Sequence, residues 1–282
     1  MIELSLSASL VVYKPDFPVL ERTLLALQRA AKDARNHYAM HFELTLVDNS
    51  CDLAWHERLQ VWVKEHSDEW ADWTMRVLQL NENQGAASAR NSGWASANQP
   101  YIAFLDADDA WHPRKIEIQY AYMSKHPEAA LCGHGHRVVR RTAVMPDWDV
   151  SSEEVRPVYK WELLLSNKFV TPAAMLRCDA RQRFIPGQRY MEDHMLWLNL
   201  VCEGGKIVKL AAELAAIYKS PFGAAGLSAQ LWPMEKCELG NYARLHNGGC
   251  INLVQWLGLV SYSMLKYVRR LVMYWGYLRW SK

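Results

Sequence analysis

The sequence lacks most of the patterns that mark secreted, zinc-binding or nucleic-acid-binding proteins. Its six cysteines are scattered and include no Cys-x-x-Cys pair, so neither a zinc site nor a disulfide framework is indicated. It has no block of lysine and arginine like that of a nucleic-acid-binding arm, and its net charge is +2. The N-terminus lacks the basic start and apolar core of a signal peptide. We therefore expect a protein of the reducing cytoplasm that does not bind nucleic acid.

The composition is that of a globular protein rich in tryptophan and tyrosine. The chain has 282 residues, of which 50% are hydrophobic and 22% are charged. This length is enough to bury a core in one large domain or two small ones. The thirteen tryptophans and thirteen tyrosines suit stacking on sugars or bases, core packing, or a membrane interface.

Strand-like and helix-like segments alternate along the first third of the chain. Strands are predicted at residues 4–13, 42–47, 75–80 and 101–105, and helices at 17–38, 55–73 and 85–97. Asp16 is a candidate N-cap of the first helix. This alternation predicts an α/β fold with a mainly parallel sheet and helices on both faces. Such sheets bind nucleotides at the carboxyl ends of their strands.

The pattern is looser after residue 109. Helices are predicted at 113–125, 159–165 and 192–202, strands at 129–140 and 172–177, and a loop at 145–158. Residues 221–249 contain five glycines and little periodicity, which predicts a mobile loop over a site.

The most informative feature is a hydrophobic run that ends at three carboxylates. Residues 101–105 have the length and the aromatic content of a buried strand, and Asp106, Asp108 and Asp109 follow at once. These acids repel one another, and a divalent cation is the usual way to offset that repulsion. Oxygen ligands suit Mg²⁺ or Mn²⁺, held partly by the protein and partly by substrate phosphates.

Polar residues also follow two earlier strands. Asp48 follows the second strand, and Gly85 and Arg90 come after the third. The carboxyl ends of parallel strands meet at one edge, so these residues should converge with the acidic cluster. Asp48 could accept from a base N–H or a ribose hydroxyl, although alone it is more often a turn residue. With Arg90 as a cation for a diphosphate, the set predicts a nucleotide-diphosphate site.

Four ordered motifs resemble glycosyltransferase family 2. They are Leu10-Val11-Val12-Tyr13-Lys14, Val47-Asp48-Asn49-Ser50, the run from Asn83 to Gly93, and Phe104-Leu105-Asp106-Ala107-Asp108-Asp109. The resemblance covers about residues 4–210. It implies a GT-A fold, with C-terminal amphipathic helices added here, and transfer of a sugar from a nucleotide donor with inversion. A UDP-sugar is favoured as the donor, with Mn²⁺ or Mg²⁺ as cofactor.

The resemblance also implies roles for individual residues. Tyr13 and Asp48 should border the nucleotide base, and Arg90 the base or the diphosphate. Asp106 would touch the ribose or the metal, with Asp108 as the principal metal ligand and Asp109 the weakest candidate. The residues implied for nucleotide-sugar binding are Val12, Tyr13, Asp48, Gly85, Arg90, Asp106, Ala107 and Trp111, and those for the metal are Asp108 and Asp106. Trp111 resembles a residue that lines a sugar, but an ordinary core aromatic fits equally well.

A Glu192-Asp193 pair at the start of a predicted helix resembles the Glu-Asp-x-x-Leu-Trp-Leu pattern of the family. Inverting transfer is a single displacement in which a carboxylate removes the proton of the attacking acceptor hydroxyl. The resemblance assigns this catalytic role to Asp193, with Glu192 orienting it or binding the acceptor. Without the resemblance, two helix-start carboxylates favoured by the helix dipole would be the preferred interpretation.

Several alternatives are less consistent with the sequence. His134 and His136 cannot complete a metal site by themselves, so they border the acceptor cleft or are structural, while His194 would tune the site. A haloacid-dehalogenase-like phosphatase would carry Asp-x-Asp at its first strand, and a nucleotidyltransferase would have a glycine-rich basic loop there; neither is present. A non-catalytic nucleotide-sugar or glycan-binding protein on the same fold remains the alternative.

The C-terminal residues 251–282 are apolar and aromatic. On a helical wheel the polar residues share one narrow face: Asn252, Gln255, Ser263, Lys266, Arg269 and Arg270. The uncharged stretch before Lys266 is shorter than the roughly 20 residues that a spanning helix needs. We expect a helix in the membrane interface, with its cations toward anionic lipid; a core or oligomer-contact helix is the alternative.

The expected organisation has three parts. Residues 1–110 form the nucleotide-sugar-binding half of the GT-A domain, residues 111–250 its acceptor-binding and catalytic half, and residues 251–282 a membrane-associating segment. Together with the resemblance, this organisation implies a cytoplasmic enzyme, peripheral on the inner face of the cell membrane. It would act on a glycan or lipid-linked acceptor in bacterial O-antigen, capsule or lipopolysaccharide synthesis.

Overall fold

The computed structural model describes residues 3–70, 73–140, 145–150, 152, 154–218 and 230–280. Its strands are β1 Glu3–Val12, β2 Ala39–Asp48, β3 Thr74–Gln79, β4 Tyr101–Asp106, β5 Ala110–Trp111, β6 Ala129–Val139, β7 Val155–Pro157, β8 Met175–Arg177 and β9 Lys206–Tyr218. The helices are α1 Phe17–Arg35, α2 Leu53–Glu65, α3 Gly85–Ala95, α4 Lys115–Lys125, α5 Lys160–Leu165, α6 Glu192–Cys202, α7 Leu231–Asn247 and α8 Leu253–Trp280. The strands form one nine-stranded sheet in the order β3-β2-β1-β4-β8-β6-β9-β5, with β7 paired to β9.

The first half of the sheet is parallel and has a helix on each face. β1 alternates leucines with serines, and its leucine face shares a buried cluster with the leucines of α1. α3 lies on the serine face, where a Cβ added at Gly93 would come within 2.0 Å of Ser9 Oγ. α3, which is rich in alanine, serine and glycine, therefore packs closely against β1.

Most of the strand pairing is parallel, as predicted, and the antiparallel pairs lie in the second half of the sheet. β8 pairs antiparallel with both β4 and β6, and β9 pairs antiparallel with β5 and β7 but parallel with β6. The sequence analysis predicted no strand at Lys206–Tyr218. That segment consists largely of alanine, leucine, lysine and glutamate, which favour helices, so burial within the sheet overrides its local preference.

The mobile loop predicted over residues 221–249 is wrong for the part that the structure describes. Residues Leu231–Asn247 form α7, while residues 221–229 lie outside the described ranges. The inward face of α7 carries Glu235, Glu238 and Asn241, all of them buried, so it lacks the apolar periodicity by which a helix is predicted.

Other boundaries differ in smaller ways. Asp16 precedes α1 but makes no side-chain capping hydrogen bond. The helix predicted at 55–73 ends at Glu65 and is followed by a 3₁₀-helix at Ser67–Trp70. The loop predicted at 145–158 includes the short strand β7 at its end.

One cysteine pair contradicts the expectation that no disulfide is formed. Cys202 at the end of α6 and Cys250 before α8 are joined, with their Cα atoms 5.7 Å apart. The two residues are separated by 48 positions and match no spacing pattern, so only the folded chain brings them together.

Three of the six residues on the polar face of α8 are directed inward, toward α7. Ser263 Oγ and Arg270 Nη2 donate to the Glu235 carboxylate at 2.6 and 2.5 Å, and Lys266 Nζ donates to Glu238 Oε1 at 2.7 Å. The expectation that these cations face anionic lipid is therefore wrong for Lys266 and Arg270, because both are bound to buried carboxylates of α7.

The opposite side of α8 exposes large apolar residues. They include Leu253, Val254, Leu257, Leu265, Val268, Val272 and Met273, of which Val254 is 78% exposed. Arg269 is the cation on this outer side among residues 253–273. Within the described part of the chain, no helix is both long and apolar enough to cross a membrane.

Candidate active site

The carboxyl ends of β1, β2 and β4 lie level at one edge of the sheet. In the strand register Val12 pairs with Asp48, and Val11 pairs with Asp106. This register confirms the prediction that the strand ends converge. Val12 is buried there, while Tyr13, the next residue along the chain, is 61% exposed.

Hydrogen bonds between loop residues hold this edge together. Asn49 donates its backbone N–H to the Val12 carbonyl at 3.0 Å and its side-chain amide to Asn83 Oδ1 at 3.1 Å. The same Asn83 oxygen accepts from the Gly85 N–H at 3.0 Å. The positive φ of Gly85, +84°, lets the chain turn into α3 at this point.

The three acids after β4 have different surroundings. Asp106 is half-buried, Asp108 is exposed and Asp109 is buried. The Asp109 carboxylate accepts a hydrogen bond from the Tyr218 N–H at 3.0 Å, which fastens the turn to the end of β9. Asp109, the weakest candidate of the three, is therefore a structural residue in this fold.

Two residues of α1 hold the backbone of this acidic turn from behind. Thr23 Oγ1 donates to the Ala107 carbonyl at 3.0 Å, and Arg22 Nη2 donates to the Asp108 carbonyl at 2.8 Å. Neither residue was predicted as a site residue. The buried Thr23 is a polar residue on the apolar side of an amphipathic helix, which is a weak sequence signal.

Arg90 joins the acidic turn to the Glu192-Asp193 pair. Its Nη2 donates to Asp106 Oδ1 and its Nη1 to Glu192 Oε1, each at 2.8 Å. Burial opposes the charge of Arg90, but the two carboxylates outweigh burial and raise its pKa, so it stays a cation. Both terminal nitrogens of Arg90, expected at the base or diphosphate, are thus bound to protein carboxylates in this structure.

The Glu192-Asp193 pair begins α6 in a buried setting. Asp193 Oδ1 accepts from the His194 N–H at 2.6 Å, and Asp193 Oδ2 accepts from Asn167 Nδ2 at 3.1 Å. Burial raises the pKa of Asp193, and burial together with the neighbouring Asp193 raises the pKa of Glu192. A carboxylate with a raised pKa is a stronger base, which suits removal of a proton from a hydroxyl.

Asp48 is completely buried, and its carboxylate is bound within the protein. Its Oδ1 accepts from the Ser50 N–H at 2.9 Å, and its Oδ2 lies 3.0 Å from His56 Nδ1. Gln60 Nε2 lies 2.9 Å from His56 Nε2, which assigns the ring proton to Nδ1. The contact of Asp48 with a base would require this Asp48–His56 pair to open.

Trp111 is a core residue in this structure. It is completely buried, its Nε1 donates to the Pro172 carbonyl at 3.0 Å, and Lys115 Nζ lies 4.2 Å from its ring centre. Burial lowers the pKa of Lys115 to about 7. The expectation that Trp111 lines a sugar is therefore corrected to its alternative, an ordinary core aromatic.

The histidines of the second half have structural surroundings. His134 is buried, with Nδ1 2.6 Å from the Gly135 carbonyl, and burial lowers its pKa well below the usual range. His194 is also buried, with Nε2 2.7 Å from the Leu163 carbonyl. His136 lies two residues further along β6 than His134.

Asp106 and Asp108 are the two residues predicted to hold a metal ion at this edge. In the residues that the structure describes, no group of three or more His, Cys, Asp or Glu side chains could hold a metal ion. Asp108 is exposed, and one oxygen of Asp106 accepts from Arg90. This donor set fits a cation that takes its remaining ligands from substrate phosphates.

The chain is similar to several glycosyltransferases over part of its length. It is 28% identical over 166 residues to the putative teichuronic acid biosynthesis glycosyltransferase TuaG of Bacillus subtilis, covering 58% of this chain and 62% of the relative. It is 31% identical over 77 residues to the Escherichia coli UDP-Glc:α-D-GlcNAc-diphosphoundecaprenol β-1,3-glucosyltransferase WfgD, covering 27% and 30%. The chain thus spans less than two thirds of either relative.

A solved structure and a protein family also match the chain. S. aureus TarS 1–349, solved with UDP-GlcNAc, superposes with a TM-score of 0.66 at 16% identity, covering 93% of this chain and 72% of that chain. This likeness identifies the fold as GT-A. Residues 12–169, more than half of the chain, match the family described as glycosyl transferase family 2. The chain belongs to glycosyltransferase family 2.

Proposed function

We propose that this protein is an inverting glycosyltransferase that moves a sugar from a nucleotide-diphosphate donor to a hydroxyl of a glycan or lipid-linked acceptor. The observation that carries the proposal is the Arg90 bridge. It holds the acidic turn, where the donor diphosphate would bind, next to the buried Glu192-Asp193 pair that would activate the acceptor. The donor site and the base would thus lie close enough together to take part in the same displacement reaction.

The proposed reaction is a single displacement with Asp193 as the base. The acceptor oxygen forms a bond to the anomeric carbon while the bond from that carbon to the diphosphate oxygen breaks. The departing nucleoside diphosphate takes the electron pair, and the acceptor proton moves to the Asp193 carboxylate. Glu192 holds Arg90, and the positive charge of Arg90 favours the ionised form of Asp193, whereas Asp106 opposes it.

A divalent cation, Mn²⁺ or Mg²⁺, would be held by Asp108 and Asp106. Such an ion supplies positive charge to the departing diphosphate. Asp106 is held by Arg90, and the backbone of the turn is held by Thr23 and Arg22. These contacts would keep the two carboxylates in place before the donor arrives.

A UDP-sugar is the favoured donor and a hexosyl group the favoured cargo. The names of similar proteins support this choice, since TarS was solved with UDP-GlcNAc and WfgD is named for UDP-Glc. Val12, Tyr13, Gly85 and Ala107 would border the nucleotide along the sheet edge. Asp48 would act on the base only after its bond to His56 opens.

The proposed acceptor belongs to bacterial surface polysaccharide synthesis, such as O-antigen, capsule or lipopolysaccharide. The name of TuaG, a teichuronic acid glycosyltransferase, supports this setting. A lipid-linked acceptor would be met at the inner face of the cell membrane, with the protein in peripheral contact. We assign that contact to the exposed apolar side of α8, because its inner cations are engaged by Glu235 and Glu238.

The test measures donor binding and turnover separately. Purified protein is mixed with UDP-glucose, UDP-N-acetylglucosamine and other nucleotide-sugars, with and without Mn²⁺, and both thermal shift and release of UDP are recorded. Asp193→Asn should keep donor binding and lose turnover by about 100-fold or more, because it cannot accept the proton. If the variant turns over like the wild type, Asp193 is not the base; if the wild type binds a nucleotide-sugar without turning it over, the protein is a non-catalytic binding module. If no nucleotide-sugar binds or is consumed, the proposal is wrong.

A further inference from the structure

We infer that Asn167 is a positioning residue for the proposed base: its side-chain amide fixes the Asp193 carboxylate in the orientation from which it takes the acceptor proton. Asn167 lies two residues beyond the end of α5, far from α6 in the chain, and no sequence motif marks it. The inference rests on the proposed function, since it names a residue that acts through Asp193.

The orientation of the Asn167 amide is fixed by two hydrogen bonds of opposite kind. Its Oδ1 accepts from the Phe169 N–H at 3.2 Å, and its Nδ2 donates to Asp193 Oδ2 at 3.1 Å. A flipped amide would direct its oxygen at a carboxylate oxygen and its NH₂ group at an N–H, so both contacts would be lost. The amide nitrogen therefore faces Asp193.

The chain around Asn167 is anchored on both sides. Leu163 and Leu164 of α5 are buried, and the Leu165 carbonyl accepts from Lys266 of α8 at 3.2 Å. Phe169 is buried against β6, where a Cβ added at Gly133 would come within 2.1 Å of its ring. Asn167 thus lies between two packed segments, which restricts the movement of its donor.

Burial and the neighbouring negative charges destabilise the ionised form of Asp193, and hydrogen-bond donors stabilise it. Burial raises its pKa, and so does the negative charge of Asp106; Glu192 is a second carboxylate beside it. Arg90 is the cation that opposes them, and the donors are the His194 N–H and the Asn167 amide. Asn167 is thus the side-chain donor in this set, and a substitution can remove it without changing a charge.

The test is a pH profile of kcat/KM for Asn167→Leu, measured with the UDP-sugar that the wild type consumes. Leucine keeps the size of the side chain and removes the donor. The base must be ionised to act, so loss of the donor should move the acid limb to higher pH by about one unit. Activity should fall most at low pH and recover as the pH rises. Asn167→Gln, which keeps an amide donor, should lie closer to the wild type.

A titration that does not depend on turnover separates this inference from the proposed function. The protein is labelled with ¹³C-aspartate, and the carboxyl signal that disappears in Asp193→Asn is followed against pH. In Asn167→Leu that signal should titrate about one unit higher. If Asn167→Leu does not fold, Asn167→Ala, which also lacks a donor, serves for the same comparison.

The matched control is Asn98→Ala. Asn98 Nδ2 donates to the Glu43 carboxylate at 3.2 Å, the same kind of bond, but Glu43 lies five residues before the site end of β2. This variant should leave the acid limb and the Asp193 signal unchanged. An unmoved Asp193 titration in Asn167→Leu would overturn the inference even if Asp193→Asn is inactive. A moved titration with an active Asp193→Asn would instead overturn the proposed base.

Discussion

Arg90 is the residue that balances charge across the proposed cleft. Its side chain is 6% exposed, and its two terminal nitrogens neutralise carboxylates that come from β4 and α6. A buried charge that loses its partner is far more costly than an exposed one, because water cannot replace the missing contact. Removal of Arg90 would leave Asp106 and Glu192 facing each other without compensation.

We predict that Arg90→Met destabilises the fold by about 3–5 kcal/mol, measured by chemical denaturation. Arg90→Lys should fall between this variant and the wild type, since one ammonium group cannot make the same two-pronged contact. The control is Arg177→Met: Arg177 pairs with the 68% exposed Asp179, and its loss should cost less than about 1 kcal/mol. Equal effects of the two substitutions would contradict the role of Arg90.

Some site residues could be predicted and others could not, for a physical reason. Asp106, Asp108 and Arg90 stand at strand ends within motifs, so their convergence follows from a parallel sheet. Asn167, His56 and Thr23 act through hydrogen bonds to Asp193, Asp48 and Ala107, and no local sequence pattern links these partners. The sequence was equally consistent with Trp111 at a sugar site or in the core, and its complete burial in the structure places it in the core.

At the scale of elements, α7 and α8 pack as a pair through polar residues, and the sequence of either helix alone does not predict this pairing. Glu235 and Glu238 break the apolar pattern of α7, and they are matched by Ser263, Lys266 and Arg270 of α8. The helical wheel grouped these polar residues of α8 correctly. The prediction that this polar face points toward lipid was wrong, because the carboxylates that it contacts, Glu235 and Glu238, lie in a segment that was predicted to be a loop.

The exposed side of α8 predicts binding to anionic vesicles. Wild-type protein should sediment with phosphatidylglycerol-containing vesicles, because the exposed apolar side chains of α8 can enter the interface. Replacing Leu257 and Leu265 by serine should reduce the bound fraction several-fold without lowering the melting temperature, since both side chains are already exposed.

The control for vesicle binding is a pair of exposed apolar residues on another helix. Leu53→Ser and Val61→Ser in α2 remove similar apolar surface and should leave binding unchanged. If the wild type does not bind vesicles but forms dimers that the α8 substitutions dissociate, α8 is an oligomer contact instead.

At the scale of the whole molecule, the two proposed halves share one sheet. β8 follows in sequence long after β4, yet it pairs directly with β4 and with β6. The proposed boundary near residue 110 therefore does not separate independent cores. The motifs suggested its position, but nothing in the sequence indicated the long strand β9 of the second half.

We predict a single calorimetric unfolding transition for the chain. The two halves are hydrogen-bonded through β4 and β8. Unfolding of the strands in the donor half would therefore expose the sheet of the acceptor half, so the two should unfold together. Addition of UDP and Mn²⁺ should raise the temperature of this one transition by mass action. Two resolved transitions, with only one moved by UDP and Mn²⁺, would contradict the shared core.

The Arg90 bridge also restricts how such enzymes can be recombined. Consider a chimera that joins this donor half to the acceptor half of a relative. Arg90 will be fully paired in it only if that acceptor half has a carboxylate at the position of Glu192. Arg90, Asp106 and Glu192 therefore form one charge-balanced unit, and a chimera that divides this unit leaves one charge without its partner.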